Sequence, residues 1–161
     1  MVMGDSFAGV TEIRPGVFTF FDLFQMQLGI CSFADIALSV LTTVTSHKVD
    51  RKTKTQRMFI DAGGLALSKD RSTQGQTSDL GYGQVIGLNG ETLSQPVIVN
   101  AVNQEHGVID LPNALSLDDF PIGSRLRILP NHACMTAAAH DGYHVLSPEG
   151  ELSWWSRCNG W

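Results

Sequence analysis

Turn signals interrupt this sequence so often that long regular elements do not fit between them. Sixteen Gly and six Pro are spread among short apolar runs, and pairs such as Pro15-Gly16, Gly63-Gly64 and Asn89-Gly90 mark points where the backbone reverses or bulges. Short apolar runs bounded by such signals read as strands rather than as a helical bundle. At 161 residues and 43% hydrophobic composition the chain encloses one ordinary core, with eight Phe and three Trp supplying bulk.

Along the chain, residues 9–22 predict a strand, a Pro-Gly turn at 15–16 and a second strand over Val17–Phe21. Residues 23–34 suit a short helix or a loop, and the β-branched stretch from about Ala37 to Ser46 predicts a strand. A strand beginning at Arg57 meets Gly63-Gly64, and the polar, glycine-rich residues 71–83 form the longest loop. From Pro96 onward the pattern is all strand and turn, with Pro148-Glu149-Gly150 marking a last hairpin. The fold class is therefore mostly β: a curled antiparallel sheet or β-barrel with one or two short helices.

The net charge of −5 and the scattered Lys and Arg argue against nucleic acid as a partner. The one basic stretch, "HKVDRKTKTQR" at 47–57, reads as a solvated turn between strands. The N-terminus shows no leader pattern and no run reaches the ~18 apolar residues that span a bilayer, so no membrane partner is expected. Cys31, Cys134 and Cys158 are odd in number and lack a CxxC spacing, which suits a reducing, cytoplasmic location.

"LPNHACMTAAAHDGYHV", residues 129–145, holds the chemistry. If it is a strand, His132 and Cys134 project from one face and can converge on one ion, and an imidazole with a thiolate favours zinc. The competing reading is a turn histidine and a buried thiol. A third ligand can come from His106, His140 or His144, and the local sequence singles out none. "NQEHGVID", residues 103–110, places Glu105 beside His106; His106 reads either as a site residue or as a hydrogen-bonded surface histidine at a strand end. GxSxG, Walker and GxGxxG patterns are absent.

In order, "TEIRPGVFTFFD", "VLTTVTSH", "IDAGGLALSKD", "NQEHGVIDLP", "IGSRLRILPNHACMT" and "GYHVLSPEGELSWWSRCNGW" resemble the C-terminal part of the D-serine dehydratase and D-threonine aldolase family. The resemblance runs from about Val10 to Trp161. It implies the C-terminal β domain of an alanine-racemase-like enzyme, normally joined to a (β/α)₈ barrel that binds pyridoxal phosphate through a lysine. Residues 1–25 then resemble the end of that barrel and residues 26–161 the β domain. It also implies that His132 and Cys134 bind zinc, with His106 nearby as a catalytic, proton-handling or orienting group. Cys134 matches the dehydratase branch, since the aldolase branch carries Asp there.

The departures are specific. None of the four lysines, Lys48, Lys52, Lys54 and Lys69, matches the Schiff-base position; Phe18 stands where relatives carry Tyr, and Leu65 where many carry Lys. Pyridoxal phosphate is therefore expected only if a barrel domain is supplied. The intact enzyme would act on a small D-amino acid such as D-serine or D-threonine, and this chain alone would be inactive. Its partners would be further copies of itself or a separate barrel subunit. The alternative is a non-catalytic β domain for assembly or binding, with a vestigial metal site.

Overall fold

The computed structural model describes residues 7–14 and 16–158, so Pro15 of the expected Pro-Gly turn lies outside the described residues. Eight strands are seen: β1 (Val40–Val49), β2 (Gln56–Ile60), β3 (Gly83–Ile86), β4 (Ala101–Val102), β5 (Gly107–Asp110), β6 (Arg125–Pro130), β7 (Gly142–Leu146) and β8 (Leu152–Ser156). Three short helices, α1 (Leu23–Gln27), α2 (Gly64–Leu67) and α3 (Ala133–Ala138), accompany them.

Six strands form an antiparallel sheet in the order β3-β6-β1-β2-β5-β4. Residues 97–102 bring its edges together. Val99 N–H donates to Gly83 O on the β3 side, and Asn100 N–H donates to Val108 O on the β5 side. The sheet thus curls round on itself, as the turn-rich sequence predicts. Inside lie Val40 and Val44 of β1, Met58 and Ile60 of β2, Val85, Ile109 and Ile128, the period-two face of each strand. On the outer face, Leu23 of α1 packs with Ile36, Ile86 and Leu129.

The basic run expected as a turn at 47–57 includes the ends of both strands: 47–49 and 56–57 pair in β1 and β2, and the turn is confined to 50–55, where Asp50 accepts the Lys52 and Thr53 N–H groups. The Asn89-Gly90 turn is also present: Gly87 N–H reaches Glu91 O, and Gly90 takes φ +88°. Pro148-Glu149-Gly150 turns the β7–β8 hairpin, which forms a separate two-stranded sheet. No described helix is long and apolar enough to cross a membrane.

Three readings are corrected. Val17–Phe21 is a run of turns, and Val17 and Phe21 hold left-handed backbone at φ 60° and 53°, which a strand cannot contain. The strand expected over 37–46 runs instead over Val40–Val49, with a register shift between Val44 and Ser46 in its pairing to β2. Most consequential, His132 and Cys134 do not share a strand: β6 stops at Pro130, His132 holds the position just before α3 without capping it through its side chain, and Cys134 lies in the first turn of α3.

Candidate metal centre

β6 delivers the chain to Asn131, and two adjacent side chains there take hold of one loop. Asn131 is 1% exposed. Its Nδ2 donates to Thr73 Oγ1 at 2.6 Å and to Gly81 O at 2.8 Å, while its Oδ1 accepts from Thr73 N–H at 3.2 Å. The buried amide is fully used, and it pins the 71–81 loop over the start of α3.

His132 binds the same loop. Its Nδ1 lies 2.5 Å from Asp70 Oδ2, and Ser72 Oγ–H donates to Asp70 Oδ1 at 2.9 Å. Burial works to raise the Asp70 carboxyl, and the hydrogen bonds from His132 and Ser72 outweigh it, so the group lies below its ordinary range. Cys134 is exposed two residues on, in the first turn of α3.

Both ends of α3 are tied down. Asp22, fully buried, accepts from Gln25 N–H at 2.9 Å and from Ala133 N–H at 2.8 Å, so one carboxylate caps α1 and also holds the first residue of α3. At the other end Arg157 donates to the Ala137 and His140 carbonyls. Thr136 Oγ1 donates to Leu67 O at 2.9 Å, which fastens α3 to α2.

The other candidates are dispersed. His140 Nε2 donates to Ala66 O at 3.0 Å and is occupied in holding α2. His144, exposed on β7, packs its ring edge against Trp154. His106 lies in the turn between β4 and β5, its side chain exposed; an added Cβ on Gly63, at the start of α2, would come within 2.4 Å of the His106 backbone nitrogen. His106 therefore lies against the start of α2, whereas α3 and His140 are bonded to its end at Ala66 and Leu67. The Cys31 thiol is raised by burial first, then by Asp35 and Asp22, which disfavours the thiolate a metal would need.

Among the described residues, no three His, Cys, Asp or Glu side chains are grouped to hold an ion. The candidate donor set is then two: the Nε2 of His132, whose Nδ1 is engaged by Asp70, and the sulfur of exposed Cys134. An imidazole and a thiolate suit a borderline-soft ion, and the carboxylate on the far ring nitrogen is the usual support of a metal-binding histidine, so these residues fit zinc. This chain by itself shows no enclosed lysine to carry pyridoxal phosphate: all four are exposed, and Lys48, Lys52 and Lys54 lie on the β1–β2 hairpin. A cleft of about 350 Å³ lined by residues including Glu91, Asp119 and Arg125 opens at the other end of β6, roughly 20 Å away along the strand.

The family model described as "Putative serine dehydratase domain" matches residues 37–146, which include Asp70, His106, His132 and Cys134. The chain belongs to this family. D-threo-3-hydroxyaspartate dehydratase of Delftia is 45% identical over 157 residues, covering 95% of this chain and 40% of that protein. The family chain described here thus spans about two fifths of that relative's length. An uncharacterized protein of Mycobacterium bovis is 31% identical over 83% of this chain and is itself 91% covered.

Among solved structures, an alanine-racemase-like protein of Idiomarina loihiensis superposes with a TM-score of 0.88 at 47% identity, covering 98% of this chain and 41% of that one. Two variants of D-threo-3-hydroxyaspartate dehydratase superpose at 0.83 and 0.82, each 42% identical and covering 96% of this chain. They cover 39% and 40% of those chains; the first has a histidine replaced by alanine, and the second has a cysteine two positions later replaced by alanine and is in the metal-free form. The chain therefore resembles part of a D-amino-acid lyase.

Sequence reasoning nominated His132 and Cys134 and did not reach Asp70, Asn131 and Asp22, the residues that brace them. Asp22 carried a signal, Asp-x-x-Gln ahead of α1, the mark of a helix N-cap.

Proposed function

We propose that this chain is the metal-carrying C-terminal β domain of a D-serine dehydratase-like lyase, holding zinc through His132 Nε2 and Cys134 Sγ. The observation that carries the reading is the Asp70–His132 contact at Nδ1, which leaves the Nε2 lone pair for a metal. The His-x-Cys spacing of the two dehydratase variants, one of them metal-free, supports it.

When bound, zinc would act as a Lewis acid toward the β-hydroxyl of a small D-amino acid. The chain's own part is to fix where that ion sits: Asp22 and Arg157 brace α3, Asn131 braces the loop, and Asp70 braces the ring. Two protein ligands leave the remaining positions of the ion open to water or substrate. His106, exposed beside the start of α2, is proposed as an orienting group that meets substrate only when a second domain completes the site. Residues 1–25 would continue such a barrel, and residues 26–161 form the β domain. A thiolate ligand also requires a reducing surrounding, which suits the cytoplasm.

Competitive zinc titration of the wild-type chain, His132→Ala and Cys134→Ala tests the reading. About one zinc in the wild type and a large loss in both variants are expected; equal affinity in all three contradicts it. The M. bovis relative, nearly all of which is matched, favours a second reading, a β domain that works in assembly without a barrel. Co-purification of a barrel subunit with the native chain would decide against it.

A further inference from the structure

We propose that Asp70 is the positioning residue for His132: it holds the ring as the Nδ1–H tautomer and thereby turns the Nε2 lone pair outward toward the metal. This rests on the metal reading above and adds the device that makes His132 a competent ligand. A neutral imidazole has one N–H and one lone pair, so the partner of one nitrogen dictates the role of the other. Asp70 Oδ2 at 2.5 Å can only accept from Nδ1, which assigns the proton there.

The carboxylate is itself oriented. Ser72 Oγ–H donates to its other oxygen, and the Asp70 N–H donates to Ser68 Oγ at 3.2 Å. The side chains of His132 and Asp70 are 27% and 30% exposed, sheltered enough that water does not replace the contact freely. The loop cannot drift from the ring, because Asn131 holds Thr73 and Gly81 from the adjacent backbone position.

The test reads the tautomer in the metal-free protein and the zinc affinity separately. Long-range ¹⁵N NMR at a pH where the ring is neutral should show His132 with Nδ1 protonated. Asp70→Ala should shift the ring toward the Nε2–H form favoured in water and weaken zinc binding about 10- to 100-fold, with an unchanged circular dichroism spectrum. Asp70→Asn, whose amide oxygen can still accept from Nδ1–H, should restore part of both. An unchanged tautomer in Asp70→Ala overturns the inference, as does unchanged zinc affinity there when His132→Ala has lost zinc. Zinc affinity unaffected by His132→Ala would refute the metal reading as well.

Discussion

Asp22→Asn exchanges one oxygen for an NH₂ at the point where α1 and α3 meet, and its cost can be worked from the contacts. The carboxylate is fully buried, with one oxygen on Gln25 N–H and the other on Ala133 N–H. An asparagine can accept at only one of these, and its NH₂ then faces a backbone donor. A charge-assisted hydrogen bond contributes about 1.5–3 kcal/mol, and a buried unmatched donor adds to the loss, so roughly 3 kcal/mol is expected. For a chain of this size that is roughly 6–12 °C in Tm. Asp22→Ala should cost a similar amount, since it removes both acceptors but introduces no clash. Amide hydrogen exchange should show Gln25 and Ala133 losing protection together in Asp22→Ala. An Asp22→Asn protein melting within about 2 °C of the wild type would refute the double-cap argument.

His140→Phe should destabilise the chain by about 1 kcal/mol, from the Ala66 carbonyl it leaves unpaired, while zinc affinity stays unchanged; weakened zinc binding would restore His140 as a ligand. Trp154 and Trp155 are 55% and 62% exposed on a hairpin with Leu146 and Leu152 also exposed, so the chain should self-associate and a Trp154→Ser/Trp155→Ser double variant should do so less. A wild-type monomer at high concentration in sedimentation velocity would contradict this. Burial tends to raise the Asp61 carboxyl, but hydrogen bonds from Thr42 and Thr43 prevail and hold it below its ordinary range. Its contribution to stability is then present above the unfolded value of about 4 and lost as pH falls through the lower folded value, and urea midpoints against pH should show a flatter acid limb in Asp61→Asn.

The β architecture was legible because its signals are local. Alternation at Val40, Thr42 and Val44 and the turns at Asn89-Gly90 and Pro148–Gly150 each lie within a few residues. α3 was less so: the apolar run of β6 leads straight into it, and strand pattern masked the helix-forming Ala133, Met135 and Ala137–Ala139. Of the candidate site, His132 and Cys134 stand out by residue type, whereas Asp70 lies 62 positions from His132 and Asp22 lies 111 from Ala133. A polar loop residue and a capping aspartate acquire their roles only when the curled sheet brings loop, α1 and α3 together.

X-ray absorption at the zinc edge of the loaded chain tests the central claim most directly. The account predicts a shell with one sulfur near about 2.3 Å and one imidazole nitrogen near about 2.0 Å, completed by light atoms. The sulfur should vanish in Cys134→Ala and the imidazole scattering in His132→Ala. A shell with no sulfur in the wild-type protein would contradict it.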